Sequence, residues 1–163
     1  MNTSLMRNLV HAASCLLLLA ECGCRTADPG PSGHTASGPM APRTVTTVPP
    51  AGHHGSASND GTYYVAYLPD PDPIPLNQMF SLHVWVYAAA DRSEVLPNVR
   101  LLADAAMPEH DHGMNTTPRV RANPDGSFTV EGMLFHMPGH WELYLDVARD
   151  GITERAQFDV DLH

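Results

Sequence analysis

Between Tyr63 and Leu162 apolar and polar residues alternate in short runs, and turn residues separate one run from the next. Side chains two apart in an extended chain share a face, so each such run predicts a strand with one buried side. Tyr63 to Leu68 is one, ended by the Pro-Asp-Pro-Asp-Pro stretch from Pro69 to Pro73. Phe80, Leu82, Val84 and Val86 alternate with Ser81, His83, Trp85 and Tyr87. Val99, Leu101, Ala103 and Ala105 line one face of a third strand that leads into Met107. Arg119 to Ala122 and Ser127 to Phe135 flank Asn123-Pro124-Asp125-Gly126, a turn sequence that predicts a hairpin. Trp141, Leu143, Leu145 and Val147 form one more face, and Ala156, Phe158, Val160 and Leu162 the last, with Asp150-Gly151 between them. No long stretch of helical period appears after residue 20. Seven short strands, each with one apolar face, predict an all-β domain: an immunoglobulin-like antiparallel β-sandwich with Trp141 and Phe128 in its core.

The pattern upstream is different. Leu9 to Ala20 is apolar, too short to span a bilayer, and follows the single cation Arg7, as in a secretory signal. It ends at Leu19-Ala20-Glu21-Cys22, which resembles a bacterial lipobox with Cys22 as the lipidated residue. Glu21 departs from the small residue usual there, and Cys24 is the alternative anchor. Residues 25–60 are rich in Pro, Gly, Ser, Thr and Ala and hold none of the eleven aromatics. Such a composition buries too little apolar surface to offset its ordering entropy. The expected organisation is a signal over 1–21, a disordered tether over 22–60 that includes His34, His53 and His54, and a sandwich over 61–163.

All three cysteines, Cys15, Cys22 and Cys24, lie in or at the end of the signal, so no disulfide framework supports the domain. A domain of this size buries roughly 65% of its unfolded surface without staples. The nine cations are all Arg, against eighteen Asp and Glu. With no basic patch to neutralise phosphates, nucleic acid is excluded as a partner, and the absence of Lys excludes Schiff-base chemistry.

The chemistry is concentrated in two segments. Met107-Pro108-Glu109-His110-Asp111-His112-Gly113-Met114 holds two imidazoles between two thioethers, in a stretch that Pro108 and Gly113 make irregular. His136-Met137-Pro138-Gly139-His140 repeats a Met-Pro step with a histidine on each side. Imidazole and thioether suit copper, the thioether favouring Cu(I), and the lack of cysteine argues against a Cys-rich zinc site. If the first segment is extended, His110, His112 and Met114 share a face, spaced about 6.5–7 Å apart. The expected site is therefore one copper ion on His110, His112 and Met114, completed by Met107 or Met137. His136 and His140 are assigned to supporting positions around it. Against this, Met107 and Met133 can be core fillers, and His83 alternates onto an outer face.

These residues also carry a family resemblance. Pro97-Asn98-Val99, Met107 to Met114, Asp125-Gly126 and Phe135 to Leu143, in that order, resemble the YtkA-like domain family over about half of the chain. The resemblance implies a small β-sandwich, exported or membrane-anchored in bacteria, with a suspected role in copper handling. The histidines on both sides of Met137 depart from its pattern.

Taken together these readings point to a lipid-anchored envelope protein that binds copper as chaperone, buffer or sensor. Its partners would be the membrane, through the anchor, and a copper-exporting or copper-receiving envelope protein. The alternative is a metal-independent interaction module on the same tether. An enzyme is not expected: a zinc hydrolase using the two histidines with Glu109 or Glu142 would lack a substrate pocket, and no nucleophile elbow, phosphate loop or HExxH helix is present.

Overall fold

Each run of alternation forms a strand in the computed structural model, which describes residues 48–163. The expected signal, Cys22, Cys24 and the expected tether up to residue 47 lie outside the described residues. The strands are β1 (His54–Ala57), β2 (Tyr63–Asp70), β3 (Met79–Ala88), β4 (Asp91–Val95), β5 (Arg100–Met107), β6 (His112–Gly113), β7 (Arg119–Ala122), β8 (Phe128–Leu134), β9 (Gly139–Arg149) and β10 (Ile152–Leu162). The expected hairpin is β7–β8, with Ala122 opposite Phe128.

All pairings are antiparallel, and the strands form two sheets. One runs β1-β2-β3-β8-β7, with β4 on the end of β3; the other runs β10-β9-β5-β6. The inner faces meet in one apolar cluster. Val65, Leu82, Val84, Phe128 and Val130 come from the first sheet, and Leu101, Met107, Trp141, Leu143, Leu145 and Phe158 from the second. Tyr67 meets Phe158 edge-on at 4.9 Å, an aromatic contact that joins the two layers. Trp141 is fully buried and Phe128 is 6% exposed, as the alternation requires. Met133 is a core residue, and His83 points outward into solvent.

Three strands were not legible in the alternation, and one of them corrects the domain boundary. β1 lies inside the stretch expected to be tether, pairing with β2 from His54 opposite Tyr67 to Ala57 opposite Tyr64. His54 stacks on Tyr67 at 4.8 Å, and His53 Nε2 lies 3.2 Å from the Tyr64 hydroxyl. The sandwich thus begins before residue 61, and these two histidines pack on it rather than float. Periodicity misses β1 because an exposed edge strand buries no face of its own; backbone pairing holds it. β4 and β6 are short edge pieces for the same reason.

Beyond β1 the chain is tied to the opposite sheet. Ser58 donates its hydroxyl to Glu154 of β10 at 2.6 Å, and the Thr62 N–H donates to the same carboxylate oxygen at 3.1 Å. Glu154 is only 3% exposed, so these donors replace the water it has lost.

Candidate metal centre

The first segment is a turn, not the extended stretch the spacing suggested. Pro108–His110 is a single 3-10 turn and Asp111 follows in the left-handed region at φ 52°. Proline at the first helical position needs no N–H partner, which suits Pro108 to that place. The turn folds His110 back against His112, and the two rings stack at 5.8 Å with planes 28° apart. β6 then sets Met107 opposite His112 across the ladder, so both side chains lie on the inner side of the sheet edge.

The second segment is the loop between β8 and β9, and Trp141 fixes it. The indole N–H donates to the Met137 carbonyl at 2.9 Å, while the ring stacks on Phe135 at 4.7 Å. That anchoring holds His136 5.3 Å from His112, ring to ring, with Trp141 edge-on to both at 5.4 and 6.0 Å. Three imidazoles therefore follow one another in the order His110, His112, His136, with Trp141 edge-on to the last two.

Their nitrogens differ. His112 Nδ1 is 3.2 Å from the Gly113 carbonyl, which can only accept, so the proton sits on Nδ1 and the Nε2 lone pair is free to ligate. His136 Nδ1 is buried and has no hydrogen-bond partner. A buried ring nitrogen without a partner is a cost that a bound cation or a proton donor would remove. His136, assigned from the sequence to a supporting place, thus has the strongest structural claim to a ligating one.

The methionines separate. Met107 is 1% exposed, with its methyl beneath Gly139, where a β-carbon added to the glycine would come within 2.9 Å of it. It also borders a shallow hollow with His112, Asp111, Glu142 and Tyr144. Met137 is half-buried against the core. Met114 lines a different hollow, between Arg100–Asp104 of β5 and Thr116–Val120.

His140 belongs to another group. It faces outward on β9 and donates from Nδ1 to Asp161 at 3.0 Å, while Nε2 lies 3.6 Å from Asp159. That hydrogen bond is the main influence holding its imidazole above the ordinary histidine value; partial desolvation opposes it, and the charges of Asp161, Asp159 and Glu109 add to it. Donor atoms of His140, Glu142 and Asp159 lie within 4.8 Å of one another, which makes them a possible metal-binding group among the described residues. The sequence reading missed Glu142 and Asp159 as neighbours of His140.

No family model and no curated protein sequence matches the chain, so the YtkA-like resemblance stands on the four sequence segments that carry it. Solved structures that share some of its form include a DUF4426 family protein from Pseudomonas aeruginosa, 9% identical over 68% of this chain and 94% of that one, with a TM-score of 0.49. A copper-bound variant of FetP from uropathogenic Escherichia coli is 12% identical over 67% and 91%, with a TM-score of 0.40. FetP as isolated from the same source is 11% identical over 69% and 95%, also at 0.40. Likeness this distant decides nothing about the chain, and the centre rests on its own residues.

Proposed function

We propose that this protein binds copper at the end of the sandwich where the Pro108–His110 turn meets the loop before β9. The ion would be held by His112 Nε2, His136 Nδ1 and His110, with the Met107 or Met137 thioether as the soft ligand. The buried, unpartnered Nδ1 of His136 beside the free nitrogen of His112 carries this reading. The donor chemistry supports copper over zinc: two thioethers lie near the imidazoles, no cysteine is present among the described residues, and thioethers favour Cu(I). Storage, delivery or sensing fits better than catalysis, since the hollow beside His112 is shallow and open.

The same reading includes an envelope address: export through residues 1–21 and lipidation at Cys22, with the tether as spacer. No helix among the described residues is long and apolar enough to cross a membrane. If Cys22→Ser and Cys24→Ser variants partition with membranes as the parent does, the anchor is wrong.

Cu(I) titration of the protein tests the site. His112→Ala and His136→Ala should each weaken binding more than about tenfold, equivalent to about 1.4 kcal/mol. In a Trp85→Phe background, copper should also quench the Trp141 fluorescence, because the indole borders both rings. A His112→Ala, His136→Ala double variant that binds Cu(I) as tightly as the parent would falsify the assignment, leaving the metal-independent interaction module as the better account.

A further inference from the structure

We infer that His140, Glu142 and Asp159 form a second cation site, on the outer face of β9 and β10, suited to a divalent ion of the zinc type. The register sets this up. His140 lies opposite Asp161 and Glu142 opposite Asp159 on the paired strands, so four side chains share one face of one ladder. A potential donor atom from each of His140, Glu142 and Asp159 falls within 4.8 Å of the others, close enough for a single ion to draw all three in.

The surrounding bonds give this face more organisation than a patch of surface acids. Asp161 accepts from His140 Nδ1, so Nε2 is the nitrogen turned toward Asp159. A carboxylate holding the far nitrogen is the usual second partner of a metal-bound histidine, fixing both tautomer and ring orientation. Glu142 is oriented in the same way by the Tyr144 hydroxyl. Tyr144 is in turn covered by the Arg155 guanidinium 4.3 Å from its ring. One imidazole nitrogen and two carboxylate oxygens are donor types that zinc accepts, and three protein ligands leave coordination for water. No sulfur is among them and only one donor is an imidazole, so the set favours a harder divalent ion over Cu(I). Glu142 also borders the hollow of His112, which puts the two sites on either side of one residue.

The competing role for the same atoms is an ion pair, with protonated His140 between Asp159 and Asp161. Zinc(II) titration of the His112→Ala, His136→Ala variant separates the two, since that variant removes the two imidazoles on which the copper site rests. One equivalent of zinc should still bind there. Adding Asp159→Asn should weaken it more than tenfold, and adding Asp161→Asn instead should weaken it less, because Asp161 only positions the ring. Cu(I) affinity of the otherwise intact protein should not change with Asp159→Asn, so failure here is distinct from failure of the copper reading. Zinc affinity that is the same with and without Asp159→Asn overturns the site and leaves the ion pair.

Discussion

In the proposed site Met107 would combine packing and ligation in one side chain. At 1% exposure it is part of the core, and its methyl closes the space under Gly139. Met107→Ala therefore leaves a cavity and should cost about 2–5 kcal/mol in urea unfolding, well above the modest loss that a residue at the rim would give. Met107→Leu keeps the volume and should cost less than about 1.5 kcal/mol, yet it removes the sulfur. If the thioether ligates, the Leu variant loses Cu(I) affinity while its unfolding midpoint barely moves. Equal Cu(I) affinity in the two proteins would assign Met107 to packing alone and pass the soft-ligand role to Met137. Gly139 is the neighbouring control. It sits at φ 121°, where a side chain is strained, and its added methyl would press on the Met107 methyl. Gly139→Ala should cost about 1–3 kcal/mol of stability, measured in the same way.

At the scale of elements, what could be read from the sequence followed from whether a strand buries a face. β3, β5, β8, β9 and β10 each present apolar residues to the core, and each was legible from alternation. β1, β4 and β6 bury almost nothing and are held by backbone bonds that leave no mark in composition. The Met107–Met114 segment was legible as chemistry but not as geometry: Pro108 starts a turn, and the turn changes which side chains meet. The turn stacks His110 on His112, Met114 lines another hollow, and His136 arrives from another loop. By contrast, the His140 group was recoverable. Asp150-Gly151 is a two-residue turn with both residues at positive φ, a favoured hairpin form. Counting outward from Arg149 opposite Ile152 puts His140 across from Asp161 and Glu142 across from Asp159.

Across the whole domain, the two sheets are tied at one end by Glu154, and acid should test that tie. Burial pushes its carboxyl up, but the bonds from Ser58 and Thr62 outweigh that and leave it below the ordinary carboxyl value. A depressed folded value contributes stability above the ordinary carboxyl range, and that contribution is lost as pH falls through the folded value. Ser58→Ala should therefore be less stable than the parent at pH 7, with the gap narrowing toward pH 3 in denaturant unfolding. A gap that stays constant with pH would remove Glu154 from the account. Truncation addresses the same end. A fragment of residues 61–163 loses β1 and Ser58 together, leaving Glu154 buried with one donor fewer. It should unfold at lower urea than a fragment of 48–163, and matching midpoints would show that β1 contributes nothing.

The three imidazoles of the proposed copper site also differ in depth. His110 is exposed, His112 is half-buried, and the free nitrogen of His136 is closed off from solvent. If copper enters from the exposed His110 side, it would pass the other two rings to reach the last of these. With one ion held by all three, a small chelator would meet it first on the exposed His110 side and would have to displace the deeper ligands from there. A protein that seats itself over the Pro108–His110 turn can instead offer a replacement ligand at each step. Departure should then be slow toward chelators and fast toward a docked acceptor, a difference in rate that affinity measurements alone would not reveal.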